Sequence, residues 1–161
     1  ISSDRTAGNI PESGSVSFYL RLYNAQHSKT VPEDYSLTIS AISHSWQEGV
    51  GLDLETYKDE TDGNTGSNWM SASNVTAWSS SGGDYITDEG YTYSQDFSNG
   101  LEDLEVDISY LVEKWIDGTI ENYGVGVHLP ASLEATPPAQ QPLIIQNGFL
   151  LVALNTFLSA L

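Results

Sequence analysis

Residues 106–129, VDISYLVEKWIDGTIENYGVGVHL, constrain the fold more than any other part of this chain. Apolar residues recur there at i, i+3, i+4 and i+7, which places them on one face of a helix. These residues are Ile108, Leu111, Val112 and Trp115. Asp107 can accept hydrogen bonds from free N–H groups of the first turn, and Gly118 can adopt the left-handed conformation that ends a helix. The pattern therefore predicts one short helix near residues 108–117, with Trp115 hidden from water.

Most of the remaining chain alternates apolar and polar side chains, as β-strands do. Strands are predicted over residues 16–23, 35–43 and 123–129, and weaker ones within 68–78 and 85–92. Nine Tyr and four Trp against a single Met favour an aromatic-rich β-protein. We predict an all-β fold, an antiparallel, jelly-roll-like β-sandwich with one short helix, and a barrel is the alternative.

The two ends of the chain differ from its middle. Residues 1–14 are polar and glycine-bearing, so a connection is expected there, and the start without Met suggests a longer parent chain. The β-sandwich domain is expected over 15–136, followed by a Pro-rich linker at 137–142. Residues 143–161, LIIQNGFLLVALNTFLSAL, carry no charge, yet their polar residues make a poor membrane helix. We expect an apolar arm that is buried against the domain or against another copy of the chain.

Acidic residues dominate the charge of this chain. Twenty-two Asp and Glu against five Lys and Arg give a formal net charge of −17. Such a surface repels nucleic acid phosphates and anionic lipid headgroups, so it disfavours nucleic acid and a membrane as partners. A solvated surface, a cationic partner and calcium all remain compatible with it. The absence of Cys excludes disulfides and thiolate metal sites.

One acidic, glycine-bearing loop is a candidate structural calcium site. Its hard oxygen ligands would come from Asp53, Asp59, Asp62 and Asn64. Their spacing is not that of an EF-hand loop, and a solvated loop is the alternative. No other cofactor is predicted.

The residues that most often carry catalysis show no catalytic pattern. The three His are scattered without metal-binding spacing, and no G-x-S-x-G sequence occurs. Carboxylate pairs suited to glycoside hydrolysis arise by coincidence in so acidic a chain. The chain is therefore predicted not to be an enzyme.

Two tryptophans are candidates for stacking against a sugar. Trp69 and Trp78 lie among Ser and Asn residues and are expected to be exposed. Trp46 and Trp115 are expected in the core.

Several short motifs occur in an order that is characteristic of one family. They are Leu-Arg-Leu at 20–22, Trp-x-Glu at 46–48, Asp-Ile-Ser at 107–109, Trp-x-x-Gly at 115–118 and Asn-x-Gly at 122–124. Together they resemble the DNRLRE domain, also described as disaggregatase-related or as a carbohydrate-binding module of the alginate-binding type. The resemblance covers residues 15–130, and the tail from 143 does not look like the closing strand of that family.

The middle of the chain is most similar to the form of this domain found in structural proteins of tailed-phage particles. That resemblance implies a non-catalytic virion component, either a head decoration or a tail or fibre surface module. Its partners would be other copies of itself and other virion proteins. The alternative is a carbohydrate-binding module of a secreted or cell-surface protein, with a surface polysaccharide as ligand.

Overall fold

The computed structural model describes residues 2–25, 32–48, 66–130 and 150–152. In these residues the strands are β1 (Tyr19–Leu22), β2 (Tyr35–Ala41), β3 (Ser71–Ser73), β4 (Thr76–Ala77), β5 (Thr92–Phe97), β6 (Leu104–Asp107), β7 (Val125–His128) and β8 (Leu150–Val152). The helices are α1 (Ser2–Thr6) and α2 (Ser109–Ile116). All strand pairs among them are antiparallel, so the predicted all-β fold is confirmed.

The described strands form three sheets. The largest has the strand order β5-β2-β7-β8, β1 pairs with β6, and β3 pairs with β4 as a short hairpin. The register of the large sheet places Ile39 opposite both Tyr93 and Val127. Sheets of four, two and two strands do not establish the jelly-roll arrangement.

The main core lies between the four-stranded sheet, the β1–β6 pair and α2. Its buried residues come from all three parts: Leu20, Ile39, Ala41, Phe97, Leu104, Ile108, Leu111, Val112, Trp115, Ile116, Val125 and Val127. Two sheets that share one apolar core give the protein its sandwich-like character.

Helix α2 confirms the prediction from residues 106–129. Trp115 is only 6% exposed. The backbone N–H of Ser109 donates to Asp107 Oδ1 at 2.8 Å, and Gly118 ends the helix with a φ of +76°. The N–H of Ile108 donates to the carbonyl of Phe18, which ties the start of the helix to the residue directly before β1.

The prediction that residues 1–14 form only a connection is wrong, because Ser2–Thr6 is a helix. The guanidinium of Arg5 donates to both carboxylate oxygens of Glu113, with 2.8 Å from Nη2 to Oε1. Ser2 Oγ donates to the carbonyl of Ile116 at 2.7 Å. The Arg5 guanidinium also holds the pKa of Glu113 below its usual range. Polar contacts thus dock α1 onto α2.

Two predicted strands differ in extent from the observed ones. Strand β1 is limited to Tyr19–Leu22, because its partner strand β6 ends at Asp107 and the N–H of Phe18 donates to Ser109 Oγ at the start of α2. The strand predicted over 85–92 is instead β5 at Thr92–Phe97, and Tyr85 lies outside the strands, joined to Ile42 by an isolated β-bridge.

The described part of the C-terminal sequence is small. The expected end of the domain at 136, the linker at 137–142 and most of the 143–161 arm lie outside the described residues. Leu150–Val152 is described and extends the large sheet as β8. None of the helices in the described residues has the length and apolarity to span a bilayer.

Candidate functional site

The face of the large sheet that points away from the main core carries small polar side chains. On β2 and β5 these residues are paired as Ser36 with Asp96, Thr38 with Ser94, and Ser40 with Thr92. Strand β7 adds Gly126 and His128 on the same face, since side chains alternate along a strand. We call these residues the polar face.

A second apolar cluster covers one end of the polar face. Ile42, Ala72 and Trp78 are buried there, with Trp46, Tyr85 and Tyr123 packed around them. The Tyr85 ring lies against Gly126, where an added Cβ would be 2.5 Å from Tyr85 Cε1. The same ring stacks on His128 with centroids 4.7 Å apart. Tyr85 therefore marks the border between the covered and the uncovered part.

The other end of the polar face opens into a cleft of about 380 Å³. Its walls are Asp34, Tyr35, Ser36, Asp96, Phe97, Ser98 and Pro130. The rings of Tyr35 and Phe97 stack in parallel at 4.9 Å, and Asp34 has a φ of +53°. Two carboxylates and two hydroxyls beside aromatic rings could accept hydrogen bonds from hydroxyl groups or hold a cationic group.

The prediction that Trp78 is exposed is wrong. Trp78 is 6% exposed, and its ring N–H donates to the carbonyl of Asn68 at 2.8 Å. The Asn68 side chain accepts the N–H groups of Met70 and Ser71, so the polar neighbours of Trp78 build a turn. Trp78 has no open face for a sugar.

Trp69 is partly buried, and its ring lies against Gly82, where an added Cβ would be 2.7 Å from Cη2. Trp46 is partly buried too, with its ring N–H donating to the carbonyl of Tyr123 at 2.7 Å. Neither Trp69 nor Trp78 lines the cleft. The two tryptophans predicted to bind a sugar therefore lie apart from the cleft, and the cleft itself was not predicted from the sequence.

The predicted calcium ligands Asp53, Asp59, Asp62 and Asn64 lie outside the described residues. Within the described ranges, no group of three or more His, Cys, Asp and Glu side chains is placed to hold a metal ion.

A His–Asp pair ties the loop before Tyr85 to the end of β2. His44 Nε2 lies 2.9 Å from Asp84 Oδ2, and His44 Nδ1 lies 2.9 Å from the carbonyl of Ser45. These two contacts hold the His44 ring between the Asp84 carboxylate and the backbone of Ser45. Burial alone would raise the pKa of Asp84. Hydrogen bonds from the backbone N–H groups of Ser79 and Ser80, and the hydrogen bond with His44, lower this pKa to about 2.

Replacing Asp84 by Asn is expected to flatten the acid dependence of stability. The folded-state pKa of Asp84 lies below the ordinary 3.8, so its carboxylate contributes stability above about pH 4. That contribution is lost as the pH falls toward about 2. Urea unfolding between about pH 5 and pH 2 should show a steeper loss for the wild type than for Asp84→Asn. The exposed Asp88, changed to Asn, controls for the loss of one negative charge. Equal pH dependence of wild type and Asp84→Asn would contradict this role.

Comparisons with protein-family models, with curated proteins and with solved structures gave no significant match for this chain.

Proposed function

We propose that this chain is a non-catalytic structural module of the DNRLRE type in a tailed-phage particle. It decorates the head or forms part of the tail or fibre surface, where it packs against copies of itself and other virion proteins. The observation that supports this most strongly is β8, an uncharged strand at the edge of the large sheet.

An edge strand of this kind requires a partner. Strand β8 pairs with β7 on one side, and no strand within the described ranges pairs with its other side. Monomeric proteins often protect such edges with charged residues such as Lys, with Pro, or by covering the edge with a helix or loop. Residues 143–161 contain neither a charge nor a Pro, so the sequence of this segment lacks the protective residues, and pairing with another copy would cover the edge.

The charge of the chain limits where copies can meet. A formal charge of −17 on each copy opposes contact between most pairs of surfaces. The uncharged segment 143–161 adds no like-charge repulsion at the contact. Self-association through this segment is therefore favoured over association through the acidic remainder.

Sedimentation of the whole chain over a range of concentrations tests the assembly. We expect a discrete oligomer whose formation strengthens as salt is added, because salt screens the repulsion between acidic copies. Immunogold labelling should then place the chain on the outside of intact phage particles. A monomer at every concentration and salt, or absence from purified particles by mass spectrometry, would overturn the proposal.

The cleft supports a second candidate function, a carbohydrate-binding module. Asp34, Asp96 and the two Ser residues could accept hydrogen bonds from sugar hydroxyls. The carboxylates favour neutral over anionic polysaccharides.

A glycan array with the wild type, Asp96→Asn and Trp69→Ala tests this second candidate. Loss of binding in Asp96→Asn alone assigns the ligand to the cleft, and loss in Trp69→Ala alone assigns it to Trp69. The absence of binding by the wild type rejects the carbohydrate function. Release of reducing ends from a bound glycan would contradict the non-catalytic assignment.

A further inference from the structure

We propose that two copies of the chain join edge to edge through β8, with Leu151 facing Leu151 across a two-fold axis. The two four-stranded sheets would then form one continuous antiparallel sheet. This inference rests on the proposed function, because it names the interface through which copies assemble.

The hydrogen-bond pattern of the large sheet shows which way the backbone of Leu151 points. The N–H of Ile42 donates to the carbonyl of Gly124, so residues 124, 126 and 128 direct their backbone polar groups toward β2. Val125 and Val127 then direct theirs toward β8, where they are paired with Val152 and Leu150. Leu151 lies between these two pairs. Its N–H and carbonyl therefore point away from β7, toward the side on which no strand of the described residues pairs with β8. We call this side the open edge.

A second copy of the chain can complete this edge through one symmetric contact. In antiparallel pairing, two directly opposed residues can exchange both N–H···O bonds. If Leu151 lies on a two-fold axis, its donor and its acceptor are each satisfied by the same residue of the other copy. One symmetric contact thus completes the edge in both copies, with uncharged sequence on each side.

The opposite edge of the large sheet is protected. Strand β5 carries the charged Asp96, and the side chain of Gln95 binds the β6 segment. Gln95 Nε2 donates to the carbonyl of Asp103 at 2.8 Å, and the N–H of Glu105 donates to Gln95 Oε1 at 2.8 Å. Charge and a neighbouring strand are both devices that prevent edge pairing. Because the β5 edge is protected in these ways, we expect a second copy to pair with β8 instead.

Leu151→Pro tests the interface directly. Proline removes the N–H of residue 151, which points to the open edge, and leaves the β7 ladder at residues 150 and 152 in place. Leu151→Ala is the matched control, because it shortens the same side chain and keeps the N–H. We expect the dimer dissociation constant to rise at least about tenfold in Leu151→Pro relative to Leu151→Ala. Near-UV circular dichroism checks that both variants stay folded.

The outcomes separate this inference from the proposed function. A wild type that assembles and a Leu151→Pro variant that assembles equally well would overturn the edge pairing and leave the structural role standing. A wild type that never assembles would overturn the structural role itself.

Cross-linking gives a second measurement that does not depend on proline. The chain has no Cys, so Leu151→Cys supplies a single thiol. Residues opposed in an antiparallel pair have Cα atoms about 5.5 Å apart, which is within disulfide range. Diamide should oxidise Leu151→Cys to a covalent dimer much faster than Leu101→Cys, whose position is exposed and distant in sequence from β8. Equal rates for the two variants would contradict the two-fold contact.

Discussion

Leu111→Ala is expected to lower the free energy of unfolding by about 2–5 kcal/mol. Leu111 is 0% exposed on α2 and belongs to the core shared by both sheets. Removing its side chain loses the transfer free energy of the buried carbons and leaves a cavity that the rigid sheets cannot close. Ala is the better helix former, so a loss cannot come from the intrinsic helix preference. Urea unfolding followed by Trp fluorescence measures the change.

Leu101→Ala is the matched control, because the same atoms are removed from a side chain that is 66% exposed. We expect its effect to stay within about 0.5 kcal/mol. Equal effects of the two substitutions would mean that α2 does not close the main core. The sandwich-like packing described above would then be wrong.

Helix α2 and strands β2 and β7 could be predicted from the sequence because their local pattern agrees with their tertiary environment. The period of about 3.6 in α2 brings Leu111, Val112 and Trp115 to one face, and the core lies on that face. Alternation in β2 likewise separates the core-facing Ile39 from Ser40 on the polar face. Where the local preference of a segment agrees with its packing, the periodicity of its apolar residues is sufficient to predict the element.

Helix α1 could not be predicted in this way. It is five residues long, and polar contacts hold it, so no apolar period marks it. The partners of Arg5 and Ser2 are 108 and 114 residues away in sequence. Only the folded position of α2 brings them within reach.

The burial of Trp78 and the cleft escaped prediction for a related reason. Ser and Asn around Trp78 indicated solvent, but Asn68 uses its polar groups to form a turn and to accept the Trp78 ring N–H. The cleft joins residues near 35, 97 and 130, and it exists only because β2 pairs with β5 and β7 in the observed register. Surfaces made by long-range register leave no local signal in a single sequence.

Because Tyr85 packs tightly on the polar face, Gly126→Ala is the second substitution for which we expect a large loss of stability. The backbone of Gly126 lies outside the left-handed region, so Ala is compatible with its conformation. Its Cβ would, however, lie 2.5 Å from Tyr85 Cε1 and 2.6 Å from the Tyr85 hydroxyl oxygen. The Tyr85 hydroxyl also donates to the carbonyl of Gly82, which resists movement of the ring. We expect Gly126→Ala to lower the free energy of unfolding by about 1–3 kcal/mol.

A double-mutant cycle with Tyr85→Ala isolates this contact. Once the ring is gone, the three atoms that lie nearest to the added Cβ are removed, and Ala at position 126 loses less conformational entropy on folding than Gly. Gly126→Ala should then stabilise the Tyr85→Ala protein by about 0.5–1 kcal/mol. The predicted reversal of sign is the decisive feature, because a general intolerance of Ala in β7 would destabilise both backgrounds alike. A reversal would show that Tyr85 determines which part of the polar face is covered and which part remains open beside the cleft.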